Sequence, residues 1–416
     1  MTTYAYRSGL DLALDAAGKK QVLEEALAKF NRPLKKVLII PPDMTRLNSN
    51  AGFLTDLLYK MLSPTAEVDI IPALGTHFPM GEAELRAMFG PDIPLDRFRI
   101  HDWRNDVLDL GEVPGSLIKE WSEGKLDYSV KVQCNKILFA GYDLILSVGQ
   151  IVPHEVVGMA NYTKNLMVGV GGSDMINKSH FLGASYGLER LMGLNDTPVR
   201  KLFNYAVHTY LSELPILFVM TVMAKNKTTG QMDMRGLFVG DDDATFAMGV
   251  RLSQQVNFDL LDEPLKKVVV FLDPEEFKST WLGNKSVYRT RMAIADGGEL
   301  IVLAPGLKQF GEDPQIDKLI RKYGYKGTPA TLKAVAENED IRQNLGAAAH
   351  LIHGSSEGRF TITYCPGPGV TLDEMLKRYN PDKLQDGFNT MPDGEKIFYI
   401  SNPALGLWAL KSQFNL

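Results

Sequence analysis

The chain has 416 residues, of which 45% are hydrophobic and 23% are charged, and its formal net charge at pH 7 is −5. This composition is typical of a soluble globular protein, and the length predicts two domains rather than one. The negative net charge gives no electrostatic reason to expect a nucleic-acid partner, because nucleic-acid binding usually requires a basic face.

Cysteine usage and apolar runs bear on the cellular compartment. Cys134 and Cys365 are too few for a disulfide framework or a cysteine-built zinc site. The N-terminal sequence lacks a basic segment followed by an apolar run, and no stretch approaches the roughly 20 apolar residues of a membrane span. We therefore expect a cytoplasmic protein that binds no membrane.

Three units of similar plan occupy the first part of the chain. Apolar runs at 37–40, 68–71 and 144–148 are followed by the polar turns PPDMTR, PALGTH and GQIVPH, and helical patterns follow the first two turns. Short β-branched runs that alternate with amphipathic segments are typical of βαβ units with a largely parallel sheet. The sequence therefore predicts an α/β fold.

Polar side chains lie in each of these three turns. Asp43, Thr45 and Arg46 are in the first turn, His77 is in the second and His154 is in the third. In an open parallel sheet, ligands bind outside the carboxyl ends of the strands. We therefore expect these five side chains to converge on one site.

A second α/β unit begins after a turn-rich stretch at 257–266, where we place the hinge. A strand is predicted at 266–273, a turn and strand at 295–306, helices across 315–350 and a strand at 359–364. We assign residues 1–258 to an N-terminal catalytic domain and 266–398 to a C-terminal α/β domain, with an active-site cleft between them. The apolar segment at about 400–416 could pack on either domain, including the first.

Single residues leave alternatives open. His77, His154 and His180 could bind a metal together, but the short ligand spacings of zinc motifs are absent, and a structural role is the commoner one for any single histidine. Arg46 could clamp a carboxylate or phosphate, or pair with Asp43 at the surface. The glycine-rich run could hold an anion or form an ordinary turn; its glycines are Gly169, Gly171 and Gly172.

Four segments taken together resemble the nickel-dependent lactate racemases and related 2-hydroxy acid racemases and epimerases. They are PPDMTR at 41–46, ALGTH at 73–77, GQIVPHEVVGMANYTKN at 149–165 and the run that ends in NKSH at 180. In that family a histidine precedes the cofactor lysine by ten positions and a metal-binding histidine follows it by sixteen. Here 164 − 154 is 10 and 180 − 164 is 16.

The resemblance implies a role for each matching residue. Lys164 would anchor a nickel-pincer nucleotide, a pyridinium-3-thioamide-5-thiocarboxylic acid mononucleotide with nickel, and His180 would be a nickel ligand. His77 and His154 would be the two acid/base groups, and Arg46 would hold the substrate carboxylate. Residues expected to support the cofactor are Asp43, Thr45, Gly75, Thr76, Gly169, Gly171 and Gly172.

Departures from the family pattern bear on the substrate. In the segment TWLGNK, Trp281 and Lys285 match substrate-binding positions, but Leu282 stands where relatives carry glutamine. Beside Lys164, relatives show a glycine-rich approach, whereas this chain has Asn161, Tyr162 and Thr163, and we expect Tyr162 to contact the substrate. The resemblance therefore implies a substrate larger than or different from lactate.

The implied reaction is inversion of C2 of a 2-hydroxy acid by hydride transfer to the tethered cofactor, through a planar 2-keto acid. A sugar-acid 2-epimerase would share this mechanism. A hydrolase or lyase with three histidines around a metal, and a non-catalytic sugar-acid binding protein, are the alternatives from other classes. The expected partners are a small 2-hydroxy acid and, transiently, the proteins that synthesise the cofactor.

Overall fold

The computed structural model describes residues 2–226 and 229–414 of the chain. The chain divides into two compact units: residues up to Leu182 with Leu191–Val256, and Gly183–Arg190 with Asn257–Leu416. Each unit contains helices and a mostly parallel sheet, so the predicted α/β fold class is confirmed. Within the described ranges, no helix is both long and apolar enough to cross a bilayer.

Helices and strands alternate along most of the chain. Up to Asn257 the strands are β1 (Thr3–Ser8), β2 (Lys36–Ile40), β3 (Glu67–Ile70), β4 (Val107–Val113), β5 (Val130–Asn135), β6 (Leu144–Gln150), β7 (Pro153–His154), β8 (Gly158–Met159), β9 (Ile216–Lys225) and β10 (Met232–Gly240). The helices of this part are α1 (Ala16–Phe30), α2 (Ala51–Leu62), α3 (Glu82–Phe89), α4 (Gly115–Trp121), α5 (Ser173–Tyr186), α6 (Pro198–Tyr210) and α7 (Asp243–Asn257).

The remaining elements begin at Phe258. The strands are β11 (Phe258–Leu261), β12 (Leu265–Phe271), β13 (Ile294–Ala304), β14 (Thr361–Pro366), β15 (Gly387–Thr390), β16 (Lys396–Ile400) and β17 (Leu407–Leu410). The helices are α8 (Thr280–Gly283), α9 (Lys285–Tyr288), α10 (Pro314–Tyr323), α11 (Thr328–Glu337), α12 (Glu339–Arg342), α13 (Leu345–His353) and α14 (Val370–Arg378).

A six-stranded sheet forms the centre of the first unit, in the order β1-β10-β9-β6-β2-β3. Strands β9, β6, β2 and β3 run parallel to one another, and β10 is antiparallel to β9. The run 37–40 is fully buried, as expected for a central strand covered on both faces, which is why it is continuously apolar. The carboxyl ends of β3, β2 and β6 therefore lie side by side.

Helix α2 shows how the layer beside this sheet is built. Leu54, Leu58 and Leu62 recur every four residues, so they lie on one face of the helix and pack into the same core as Val37 and Ile39. Full burial of such a leucine contributes about 1.5–3 kcal/mol. The packing fixes α2 directly after the first polar turn.

The second unit has its own five-stranded sheet, in the order β14-β13-β12-β16-β15. All neighbours are parallel except the edge strand β15, which is antiparallel to β16. Val268, Val270, Leu300, Val302 and Ile400 are buried together in one core cluster of this unit. The strands predicted at 266–273, 295–306 and 359–364 correspond to β12, β13 and β14.

Two segments join the second unit through contacts between residues distant in sequence. The sequence left open which domain the apolar segment at about 400–416 packs on, and β17 within it pairs in parallel with β11 inside the second unit. The segment Gly183–Arg190, predicted within domain 1–258, also belongs to the second unit. There Glu189 lies 2.7 Å from the guanidinium of Arg291, which is 1% exposed. A buried arginine needs such an anion, and neither long-range pairing has a local sequence signal.

Candidate active site

Hydrogen bonds join the segments that follow β2, β3 and β6. The side-chain amide of Asn165 donates to the carbonyl oxygen of Ile40 at the end of β2 (3.1 Å) and to the hydroxyl of Ser147 in β6 (2.9 Å). The backbone N–H of Gly75, in the turn after β3, donates to the carbonyl of Gly169 (2.9 Å). The polar turns predicted to converge are thus tied to the segment that carries Lys164.

Asp43 and His77 form a hydrogen-bonded pair at this edge of the sheet. Asp43 caps the 3-10 helix Met44–Ser49, and its Oδ1 accepts hydrogen bonds from the backbone N–H (3.1 Å) and hydroxyl (2.5 Å) of Thr45. Its Oδ2 lies 2.5 Å from Nδ1 of His77. With Asp43 ionised, the His77 proton sits on Nδ1, and Nε2 keeps its lone pair.

The pKa of Asp43 reflects competing effects. Burial raises the pKa of this carboxyl, but the hydrogen bond and charge of His77, the hydrogen bonds from Thr45 and the charge of Arg46 outweigh burial and hold the pKa below its ordinary value. Asp43 is therefore ionised at neutral pH. It can stabilise a positive charge that develops on His77.

Arg46 extends from the same turn and is exposed. Its guanidinium donates to the carbonyl oxygen (3.1 Å) and hydroxyl (3.2 Å) of Thr45, and its charge acts on Asp43, His154 and Lys164. The Arg46 guanidinium is therefore close enough to act on residues from three separate sequence segments. Arg46 is thus available to bind an anion beside them.

Lys164 directly precedes the π-helical turn Asn165–Gly169 and is partly buried. Burial and the charges of Arg46 and Arg200 lower its pKa to about 8, although the carboxylates of Glu155 and Asp43 act in the opposite direction. Within residues 2–226 and 229–414, no hydrogen bond or ion pair engages the amine. Roughly a tenth of the amine is therefore neutral and nucleophilic at pH 7.

His180 lies on α5 and has a defined tautomer. Its Nδ1 is 2.6 Å from the carbonyl oxygen of Ile176, so Nδ1–H donates and Nε2 carries the lone pair. Burial and the charge of Lys164 lower the pKa of His180 to about 4, against the opposing effects of the Ile176 hydrogen bond and Glu155. A neutral imidazole fixed by a backbone carbonyl is the usual form of a metal-binding histidine.

His154 ends β7, which pairs with the short antiparallel strand β8. Its side chain is 11% exposed, and its Nδ1 accepts the backbone N–H of Val156 (3.1 Å). Burial holds its pKa well below the ordinary value; the charges of Lys164, His180 and Arg46 add to this effect, and Glu155 opposes it. His154 is therefore neutral at pH 7 and carries its proton on Nε2.

The part of the chain that carries the four motifs is similar to a known protein family. Residues 10–188 match the family model of the lactate racemase N-terminal domain. The resemblance that the four motifs predicted is thereby confirmed. None of the curated proteins matches the chain.

Solved structures share the fold over nearly the whole chain. A crystal structure of a protein from Thermotoga maritima matches with a TM-score of 0.81 and 23% identity, covering 97% of this chain and 100% of that one. The lactate racemase apoprotein from Thermoanaerobacterium thermosaccharolyticum matches with a TM-score of 0.69 and 17% identity, covering 97% and 94%. At these identities the similarity shows a common fold.

Among the residues that match this family model, Tyr162 has a buried ring. Its ring is 1% exposed, stacked on Phe246 at 5.0 Å between ring centroids and tilted against Phe218 at 4.4 Å. The expected substrate contact is therefore not supported. Asn161 and Tyr162 both have left-handed backbone angles, with φ of 70° and 58°, and this turn directs the ring into the core.

The glycines of this part of the chain also have a packing role. The N–H groups of Gly171 and Gly172 donate to the carbonyls of Val168 (3.4 Å) and Gln133 (3.2 Å), so the predicted contacts of these two groups with a cofactor anion are not supported. A Cβ on Gly171 would lie 1.9 Å from the carbonyl oxygen of Met167. On Gly169 it would lie 2.6 Å from the Ala73 Cβ, which reflects the close approach of the turn after β3. Thr45 and Thr76 are exposed at their turns.

The predicted substrate-binding residues at 281–285 lie in the second unit. The Trp281 indole stacks on the imidazole of His350, with ring centroids 4.4 Å apart, and the Lys285 ammonium is 5.6 Å from the centre of the Phe277 ring. Leu282 packs against the core of this unit. Trp281 is thus held by an aromatic neighbour, while Leu282 has a structural role.

Two charged residues near Lys164 were missed by the sequence reasoning. Glu155 acts on the pKa values of His154, Lys164 and His180. Arg200 is buried on α6 and donates to the carbonyl of Met159 (2.6 Å) and the hydroxyl of Thr163 (2.7 Å), and it fixes the segment before Lys164. Glu155 could have been predicted from its position directly after His154. Arg200 could not, because its local sequence VRKLF is typical of an arginine on the surface of a helix.

Proposed function

We propose that this protein is a racemase or epimerase that inverts C2 of a 2-hydroxy acid, with a nickel-pincer nucleotide tethered to Lys164. The match to the lactate racemase N-terminal domain supports an isomerase of this type. The observation that carries the proposal is the Lys164 amine, which is partly buried, has a pKa of about 8 and interacts electrostatically with His154, His180 and Arg46. A lysine with these properties is suited to covalent attachment of a ligand.

The residues present fit such a cofactor. Lys164 offers a nucleophilic amine, and His180 offers Nε2 with its lone pair while Nδ1–H is held by Ile176. When bound, the cofactor would supply a hydride acceptor and a nickel ion. His180 would hold the nickel, and Lys164 would hold the nucleotide.

The chain itself would bind the substrate and move its hydroxyl proton. Arg46 would hold the substrate carboxylate bidentately. His77 can accept the hydroxyl proton on Nε2, because its Nδ1–H donates to Asp43 and the ionised Asp43 stabilises the imidazolium. His154, whose turn follows β6, would be the second proton-transfer group. Trp281 and Lys285 remain proposed substrate contacts.

The structure bears on the alternatives to this reaction. In the part of the chain that the structure describes, no three His, Cys, Asp or Glu side chains are grouped to hold a metal ion, which gives a three-histidine hydrolase no support. The burial of Tyr162 removes one reason to expect a bulky substrate, and the leucine at 282 packs in a core. We therefore include lactate among the proposed substrates, together with larger hydroxy acids.

The proposal can be tested by mass and by chiral analysis. The protein should be produced together with cofactor-synthesis proteins, and the peptide containing Lys164 should carry the mass of the nucleotide. The loaded protein should then interconvert the stereoisomers of at least one 2-hydroxy acid from a panel that includes lactate and sugar acids. Lys164→Arg is the matched variant and should show neither result. An unmodified Lys164, or turnover that survives in Lys164→Arg, would contradict the proposal.

A further inference from the structure

The two histidines at the strand ends have opposite neighbours at Nδ1. His77 presents Nδ1 to the carboxylate of Asp43, which is an acceptor, whereas His154 presents Nδ1 to the backbone N–H of Val156, which is a donor. The neutral forms are therefore different tautomers: Nδ1–H for His77 and Nε2–H for His154. The sequence gives no indication of this difference.

The tautomer of His154 limits its chemistry. A neutral imidazole with its proton on Nε2 can donate a hydrogen bond there, but it has no lone pair on Nε2 with which to accept a proton. A second proton would have to enter at Nδ1, where the Val156 N–H already points. In this arrangement His154 is a hydrogen-bond donor and not yet a proton-transfer group.

A carboxylate lies close to the same nitrogen. The Oε2 of Glu155 is 3.8 Å from Nδ1 of His154, about 1 Å beyond a charge-assisted hydrogen bond. The side chain of Glu155 is 22% exposed and that of His154 is 11% exposed, so water screens the pair only in part. A modest rotation of the imidazole would exchange the Val156 N–H for the Glu155 carboxylate.

Burial and nearby positive charges oppose protonation of His154, and Glu155 acts against them. Burial disfavours a protonated His154 most, and the charges of Lys164, His180 and Arg46 act in the same direction, so the pKa of His154 is lowered. Glu155 is the neighbour whose charge acts in the opposite direction. Because two of the opposing cations belong to the anchor and to the proposed carboxylate clamp, they cannot be removed without loss of those functions.

We propose that Glu155 is a positioning residue for His154, with the role that Asp43 has for His77; the inference rests on the proposed function of His154 in proton transfer. In the active arrangement, Nδ1–H of the His154 imidazolium donates to Glu155, and Nε2–H transfers its proton to the substrate oxygen. The product is a neutral imidazole that still donates from Nδ1 to Glu155 and has a lone pair on Nε2. The reverse step takes the proton back, and the carboxylate stays ionised throughout.

The first arm of the test uses the protein without cofactor, labelled with ¹⁵N in its histidine rings. The ring signals of His77 and His154 are assigned with His77→Gln and His154→Gln. At neutral pH we expect Nδ1–H for His77 and Nε2–H for His154. As the pH falls toward about 5, the His154 signal should begin to shift toward the imidazolium in the natural protein, and this shift should be smaller in Glu155→Gln. Equal tautomers, or an unchanged shift in Glu155→Gln, would overturn the inference.

The second arm uses loaded protein. Glu155→Gln keeps the shape of the side chain and removes its charge, and Glu24→Gln, at an exposed site on α1, is the matched control. We expect kcat of Glu155→Gln to fall roughly 10²-fold with little change in KM, because a positioned acid/base group contributes about 10²–10⁴. The mass on Lys164 should be unchanged. A kcat within about twofold of the control would refute a role for Glu155. Absence of turnover in the unsubstituted loaded protein would instead refute the proposed function, and the ring-nitrogen measurement would then decide whether Glu155 positions His154.

Discussion

His77 and His154 occupy corresponding places in the fold and have different surroundings. Both follow strands of the same parallel sheet, yet the His77 side chain is 54% exposed and the His154 side chain is 11% exposed. His77 faces an ionised carboxylate at Nδ1, and His154 faces a backbone N–H. Position at a strand end therefore makes a histidine available for chemistry, while its immediate neighbours decide its protonation state and tautomer.

The largest effect is expected when the carboxylate that faces His77 is removed. Asp43→Asn should lower kcat of the loaded protein roughly 10³-fold, about 4 kcal/mol, because the amide no longer stabilises the imidazolium or fixes the Nδ1–H tautomer. Steady-state kinetics on the best hydroxy acid measures the effect. Asp11→Asn, at an exposed site, is the control, and a loss of less than about threefold in Asp43→Asn would contradict the assignment.

A second test concerns the packed segment that leads from Lys164 to His180. Gly171→Ala should destabilise the protein without cofactor by about 3 kcal/mol, since its Cβ would overlap the Met167 carbonyl. Thermal or denaturant unfolding measures this change. Gly9→Ala, where a Cβ meets only ordinary contacts, should stay within about 0.5 kcal/mol. Equal stabilities of the two variants would show that the glycine is not required for packing.

A third test concerns the lowered pKa of Lys164, the proposed anchor lysine. Lys164 should react with an amine-reactive label already at pH 7, because roughly a tenth of its amine is neutral there. The rate should rise with pH and level off above about 8. Peptide mass analysis compares Lys164 with the exposed Lys333. A rate that still rises steeply above pH 9 would argue against the lowered pKa.

The smallest effect is expected when the positive charge of Arg46 is removed, because Arg46 acts on Lys164 and His154 only through electrostatics. Arg46→Met should raise the pKa values of Lys164 and His154, since both lose a nearby positive charge. The labelling profile of Lys164 and the ring nitrogen signals of His154 measure the two changes. Arg7→Met, whose partner is Glu25, is the control. Unchanged midpoints would mean that the first turn does not approach Lys164.

Much of the first unit could be predicted from local sequence. The runs at 37–40, 68–71 and 144–148 are strands because their apolar residues are buried on both faces of one parallel sheet. The pairing of Asp43 with His77 follows, because the carboxyl ends of adjacent parallel strands meet at one edge. Glu155 and Arg200 escaped prediction, since their effect on Lys164 depends on neighbours that are distant in sequence.

The α/β class, the order of the strands along the chain and the spacing of His154, Lys164 and His180 can be read from local sequence, because hydrophobic periodicity and motif spacing are local properties. Three further features depend on tertiary packing: the side that the Tyr162 ring faces, the nitrogen of each histidine that carries the proton, and the unit that holds the strand β17. These outcomes depend on atoms that folding brings together from distant positions, and burial, hydrogen bonding and charge act between those atoms only after the chain has packed.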